Sequence, residues 1–232
     1  VWSIPYLFES APVAWKVLNG PFADGMREDI LDETGIRVLA FSQNGFRSFT
    51  NNVRPIVNPE DISGLKIRTM ESPVFMELVN SLGATATPIS GAEVLLSLRQ
   101  GVVDGQENPP AVVYGGGLGE VQKYYTLNEH VFGLHLIIAN DEWFSSLSPG
   151  HQQIIVDAAQ LMAWTENLQK TQGDWLFSRK LADELGMEIH VSTPEEKAAF
   201  KEITQEPVLA FIRDNVGDEL VDELISTVDE AK

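Results

Sequence analysis

Short runs of β-prone apolar residues alternate with stretches of helical spacing through the first half of the chain, and this alternation restricts the fold more than any other feature. Gly35-Ile36-Arg37-Val38-Leu39-Ala40-Phe41 reads as a buried strand after a helix that stops at Gly35. Gly64-Leu65-Lys66-Ile67-Arg68 reads as a second strand. Ser72 to Leu82 has helical spacing, with Pro73 in its first turn and Gly83 as its stop. Ala84 to Ile89 is a third short strand, Ala92 to Arg99 a helix closed by Gly101, and Val102 to Glu107 leads onward. Repeated βα units predict an α/β fold with mostly parallel strands. Ligands of such sheets sit where loops converge at the carboxyl ends of strands.

The second half is more helical. A helix beginning at Pro149 is predicted to run to about Glu184, with Ile154, Ile155, Ala158, Leu161 and Met162 on its apolar face and Trp164 and Trp175 further along. That length is unusual for a globular protein, so the helix is expected to bend or to bridge two lobes. Met187 to Val191 is the last strand. Thr193-Pro194-Glu195-Glu196 then supplies an N-cap, a proline at the first helical position and acidic residues in the first turn, and two helices finish the chain.

Charge narrows the function. The 232 residues carry 34 Asp and Glu against 16 Lys and Arg, a formal net charge of −18. Nucleic acid is excluded as a partner, because neutralising phosphates requires clustered Lys and Arg. Cysteine is absent, which removes disulfides, thiolate metal sites and a cysteine nucleophile. No apolar run reaches the eighteen or so residues that span a bilayer. In so acidic a chain, an anion site must be built locally, and two arginines fit that task. Arg47 lies in Gln43-Asn44-Gly45-Phe46-Arg47-Ser48-Phe49-Thr50-Asn51, and Arg68 ends the Leu65-Lys66-Ile67-Arg68 run. A guanidinium at a strand end can hold a carboxylate through paired hydrogen bonds. Either arginine also fits a structural salt bridge, and residue chemistry alone does not separate the two readings. Asn108 precedes Pro109 and is biased toward extended backbone; its amide suits a ligand carboxylate or hydroxyl, or equally a turn. Gly115-Gly116-Gly117 lacks the Lys-Ser/Thr of a phosphate loop and reads as a connection. His130 and His135 do not have metal-ligand spacing, and His130 reads as structural.

Several strings stand in a collinear order. They are Ile4-Pro5-Tyr6-Leu7-Phe8, Asn44-Gly45-Phe46-Arg47 with Thr50-Asn51, Leu65-Lys66-Ile67-Arg68, Glu71-Ser72-Pro73, Leu82-Gly83-Ala84, Thr87-Pro88, Gly101 to Pro109, Glu120 to Tyr124 and Trp143 to Pro149. Over essentially its whole length the chain resembles the solute receptors of tripartite ATP-independent periplasmic (TRAP) transporters, the DctP-type family.

The resemblance implies a two-lobed α/β periplasmic-binding-protein-like fold with a long helix bridging the lobes. It places 1–44 and 133–172 in one lobe, and 45–132 and 173–232 in the other. Arg68 takes the role of the arginine that binds the ligand carboxylate, Arg47 that of a second guanidinium, and Asn108 faces the ligand. Glu71 is expected to reach ligand hydroxyls or to order water. The family's chains begin with further βα units ahead of Ile4-Pro5-Tyr6-Leu7-Phe8, and these supply part of the pocket. Gly91 departs from the sialic-acid-type members, which are similar to one another in carrying phenylalanine there. Gln106-Glu107-Asn108-Pro109 resembles the branch for sugar acids and C4-dicarboxylates and not the Glu-Trp pair of α-keto acid receptors, so neither a metal nor a cofactor is expected. The implied partners are a small carboxylate and the membrane permease subunits, and the implied setting is a periplasmic monomer that does not itself span the membrane. Two other classes share these residues: an α/β enzyme with Arg68 orienting an acid and Glu71 or Glu107 as base, and a ligand-sensing module of a signalling protein.

Overall fold

The computed structural model describes residues 1–232. Nine helices and six strands follow one another as α1 (Ala11–Leu18), α2 (Pro21–Thr34), β1 (Ile36–Asn51), β2 (Lys66–Thr69), α3 (Pro73–Ser81), β3 (Thr85–Pro88), α4 (Val94–Arg99), β4 (Gly105–Asn108), α5 (Pro110–Gly115), β5 (Tyr124–Asn140), α6 (Asp141–Ser145), α7 (Pro149–Asp183), β6 (Glu188–Val191), α8 (Pro194–Val216) and α9 (Asp218–Ala231). All strands join one sheet in the order β3-β2-β4-β1-β5-β6.

The expected α/β architecture is present, but the parallel strands are the short ones. β2 runs parallel to β3 and β4, and β5 to β6. The centre of the sheet is instead a long antiparallel pair, β1 with 16 residues and β5 with 17. The sequence reading ended the first strand at Phe41 because Ser42, Gln43 and Asn44 interrupt its apolar run. The chain stays extended there because these polar side chains are buried against partners. Gln43 donates from its backbone N–H to Asn167 Oδ1 at 2.9 Å and from Nε2 to Thr171 Oγ1 at 2.9 Å, both on α7. A buried strand can be polar where every donor and acceptor is met.

β1 and β5 bend together. Their register slips at Val38/Ala40, Gln43/Gly45 and Arg47/Phe49, and each bulge kinks the ribbon. Gly45 has φ +110, and a Cβ there would stand 3.0 Å from both Asp174 Oδ2 and Pro109 Cβ. Across the pair, Glu129 carries a left-handed φ of +53.

The principal core gathers Ile4 to Ala23 with Ile62 to Ala84 and Phe200 to Val228. α1 and α2 therefore share one apolar interior with segments that the expected division at residue 44/45 puts in the other lobe. A second core holds Val94, Leu98, Val103, Val113, Tyr125, Leu181 and Met187, and a third consists of Ala40, Ala159 and Ala163. α7 runs 35 residues and joins two of these clusters, through Ala159 and Ala163 at one end and Leu181 at the other. Its buried face differs from the predicted one: Ile154, Leu161 and Met162 are exposed, while Ala159, Ala163 and Gly173 are buried. Small residues let the helix lie close on β1, so proximity selects alanine and glycine for the contact and the larger apolar side chains turn outward. At α8 the expected start is present as a full capping box, with Thr193 Oγ1 accepting from the Glu196 N–H and the Glu196 carboxylate accepting from the Thr193 N–H.

Closest approach of the backbone occurs where β4 meets β1. A Cβ on Gly105 would fall 2.1 Å from the Thr50 carbonyl oxygen. Gly105→Ala is expected to cost about 1–3 kcal/mol through forced separation of β1 and β4. The urea midpoint should drop with the slope unchanged; an unmoved midpoint would contradict this packing.

Candidate functional site

Arg68 closes β2 and pairs with Gln106 of β4 on one side and Thr87 of β3 on the other. Its Nε donates to the Ile89 carbonyl at 2.8 Å. That one bond fixes the plane of the guanidinium and leaves both terminal amino groups without a protein acceptor. The residue is only 4% exposed and forms no ion pair. Burial lowers its pKa; Glu107 and Glu71 oppose that shift and Arg47 adds to it. A desolvated, unpaired cation of this kind gains from an incoming anion.

Arg47 has the opposite arrangement. It lies inside β1, 3% exposed, and grips the fully buried Glu107 of β4. Its Nη2 donates to Glu107 Oε1 at 2.7 Å and to the Glu107 carbonyl at 2.8 Å, while Nε donates to Oε2 at 2.5 Å. Burial alone pushes the Glu107 carboxyl up, but the Arg47 guanidinium and the His130 ring outweigh it and hold the carboxyl below its ordinary range. Behind the pair, His130 stacks on Phe49 with ring centroids 4.3 Å apart and brings Nε2 to 3.4 Å from Glu107 Oε2. Burial drives the His130 pKa down, Glu107 opposes this, and the ring is held neutral. The structural reading of His130 and the salt-bridge reading of Arg47 both describe real contacts.

Asn108 ends β4. It donates from Nδ2 to Gln106 Oε1 at 2.6 Å, and its carbonyl accepts from Tyr125 Oη at 2.8 Å. Gln106 Nε2 donates to Thr50 Oγ1 at 2.8 Å, and Thr50 donates on to Gln122 Oε1. This buried chain sets the amide of Asn108 by its neighbours and ties β4 to β1.

Arg47, Arg68 and Asn108 meet on one cavity of about 400 Å³. Three polar residues join them that sequence reading did not single out for binding: Asn44, His135 and Lys170. Val94, Leu95 and Leu118 supply apolar wall, and Gly91 lies on the lining with open space at its Cβ position. Glu71 differs from expectation: it is exposed, outside this lining, and acts on Arg68 only through its charge. A larger cavity of about 680 Å³ lies between Trp15, Phe41 and Trp164, but its one guanidinium, Arg27, is engaged by Asp24. The smaller cavity holds a guanidinium without an ion-pair partner, Arg68. Lys170 was missed because α7 reads as a structural helix. A signal was available, since Asn167, Lys170, Thr171 and Asp174 recur at helical spacing as a polar stripe, and Asn167 and Thr171 face β1. No group of three His, Cys, Asp or Glu side chains converges to hold a metal, and no helix is long and apolar enough to cross a membrane.

The site is thus a mixed α/β body in which a guanidinium near a strand end opens on a lined cavity. The chain belongs to the bacterial extracellular solute-binding proteins, family 7, whose model matches residues 1–214. It is 31% identical over 222 residues to the C4-dicarboxylate-binding periplasmic protein DctP of Rhodobacter capsulatus, covering 95% of this chain and 66% of that one. It is 38% identical over 157 residues to the 2,3-diketo-L-gulonate-binding periplasmic protein YiaO of Escherichia coli K12, covering 68% and 48%. The sugar acid binding protein DctPAm from Advenella mimigardefordensis, solved in complex with galactonate, matches at a TM-score of 0.93 and 29% identity over 100% of this chain and 74% of that one. A TRAP periplasmic solute binding protein from Sulfitobacter with bound β-D-galacturonate matches at 0.89 and 30% over 98% and 73%. The chain thus spans about half to two thirds of the length of these curated relatives.

Glu107 and His130 both have depressed folded pKa values, so each contributes stability above its ordinary pKa that is lost as pH falls through the folded one. Unfolding free energy should begin to decline below about pH 6.5, where His130 would ordinarily protonate, and fall further below about 4.5, the ordinary value for Glu107. Glu107→Gln leaves Arg47 buried without its counter-charge and should cost about 3–5 kcal/mol at neutral pH. Urea melts from pH 4 to 8 check both; a flat profile in the wild type, or a neutral effect of Glu107→Gln, would contradict the assignment.

Proposed function

We propose that this chain is the solute-binding part of an extracytoplasmic receptor for a TRAP transporter, and that it takes a small organic acid by its carboxylate on Arg68. One observation carries the reading: of the two guanidiniums on the cavity, Arg47 is already neutralised by Glu107, while Arg68 keeps two unpaired amino groups beside open space. A carboxylate docked there completes a paired, charge-assisted contact in a site that is largely out of water. Asn108, with its amide set by Gln106, is placed to read a hydroxyl or the second carboxylate oxygen. Glu71 tunes Arg68 from outside the lining and orders water near the entrance.

The neighbours that hold galactonate and β-D-galacturonate, and the relative named for C4-dicarboxylates, support an acid of sugar-acid or short diacid type. Gly91 leaves the wall open where a bulky side chain would fill the cavity. In the proposed action, the lobe that carries Arg68 is the body of the principal core, which α1 and α2 share, and the rest of the chain, reached through β1, β5 and α7, folds over it. Bending falls where β1, β5 and α7 cross, at the left-handed Gly45 and Glu129. Contacts formed only in the closed state select that state, and the closed receptor then docks on the membrane permease. An enzymatic role for Glu107 is disfavoured by its surroundings, because both of its oxygens are occupied and it is held ionised far from a working general base. The same binding module in a signalling protein would share the cavity, so the partner protein distinguishes the two settings.

Calorimetry on the full-length chain with sugar acids and diacids should show Arg68→Ala losing about 2–5 kcal/mol of binding, and Arg68→Lys losing about tenfold or more because the planar fork is gone. Wild-type affinity in Arg68→Ala would overturn the proposal. Gly91→Phe is expected to abolish binding of the same acid while the melting temperature of the unliganded protein stays within a few degrees, since nothing lies within 4 Å of its Cβ. Unchanged binding would mean that the acid sits elsewhere.

A further inference from the structure

Charge on the cavity does not balance with a single carboxylate. Arg47 is cancelled by Glu107, and His135 Nδ1 faces Glu166 Oε1 at 2.8 Å. Arg68 and Lys170 remain, and neither forms an ion pair. They come from different elements, Arg68 from the end of β2 and Lys170 from the middle of α7. The Lys170 ammonium has one protein contact, a weak one to Asn44 Oδ1 at 3.5 Å. Two carboxylates stand one turn away on α7, Glu166 before it and Asp174 after it. Glu166 accepts from Ser42 and faces His135, while Asp174 accepts from the Ala111 backbone N–H, crowds Gly45, and is pushed up to about 6 by burial, with the Lys170 charge opposing that shift and Glu129 adding to it. Neither closes on Lys170.

Two cations without an ion-pair partner on one small cavity whose lining holds no carboxylate, in a chain of net charge −18, favour a ligand that brings two negative charges. From this geometry we infer that Lys170 is a specificity-determining residue and that the preferred ligand is a dianion, with one carboxylate on Arg68 and the other on Lys170. The inference rests on the carboxylate reading of Arg68 and narrows it. A monoacid leaves Lys170 facing neutral atoms. A diacid places its second charge away from Arg68, on the wall that α7 supplies. Lysine suits that second position because it is a point charge on a long flexible stem and does not demand the bidentate geometry that Arg68 imposes.

The test is calorimetry on the full-length chain at pH 7.5 with matched pairs that differ in one charge: galactarate against galactonate, and succinate against its monoamide, succinamate. The wild type should bind the dianion of at least one pair about tenfold or more tightly than its monoanionic partner. In Lys170→Gln that ratio should collapse to about one, and in Lys170→Arg it should persist. Equal affinity for both members of a pair that binds, or a monoacid as the tighter member, overturns the inference. So does a Lys170→Gln variant that weakens both members by the same factor, which is what a purely structural lysine would do. If no acid of either charge binds, or if Arg68→Ala retains full affinity for both, the carboxylate reading of Arg68 has failed instead.

Discussion

The site depends on the buried ion pair between Arg47 of β1 and Glu107 of β4. Taking two charges out of water is expensive, and such a pair is weak evidence for stability by itself. Its contribution here is positional. Three hydrogen bonds, one of them to the Glu107 main chain, lock the register of the two strands next to Arg68. They also remove one of two neighbouring positive charges. Glu107 is the largest influence holding the Arg68 guanidinium charged against burial, and Arg47 works in the other direction. The pair thus allows a second guanidinium to sit nearby, desolvated and still cationic, with its donors open toward the cavity.

Around this pair the fold acts as a frame. Gln106, Thr50 and Gln122 extend the polar network along β4 and β1, and Tyr125 of β5 holds the Asn108 carbonyl. The strands supply Arg47, Arg68 and Asn108 to the cavity, and a different element, α7, supplies Lys170. Bulges in β1 and β5 and the left-handed Gly45 and Glu129 stand between the two ends of the ribbon. The closure proposed above uses this bend, with the cavity's polar groups held on stiff elements beside it.

Much of this was legible in the sequence, and the limits have physical causes. Strand and helix punctuation by Gly35, Pro73, Gly83 and the Thr193 capping box predicted most boundaries, because each acts locally. β1 was cut short because a buried polar strand has no apolar signature; only its partners on α7 explain it. The buried face of α7 was misread for a related reason: close approach favours Ala159, Ala163 and Gly173 over the larger residues that a hydrophobic count selects. Arg68, Arg47 and Asn108 were grouped by the family resemblance, and they do line one cavity. Their division of labour was not legible, since Glu107 reads equally well as a candidate base until its distance to Arg47 is known. Lys170 lies about a hundred residues from Arg68 in sequence, and only the packing of α7 brings the two to one cavity.

A crystal structure of the full-length protein with a tightly bound acid tests the central claim most directly. The account predicts a carboxylate on the terminal amino groups of Arg68, with the Arg47–Glu107 pair intact behind it and Arg68 Nε still on the Ile89 carbonyl. A carboxylate seated on Arg47 with Glu107 displaced, or an acid bound in another cavity with Arg68 left untouched, would contradict it.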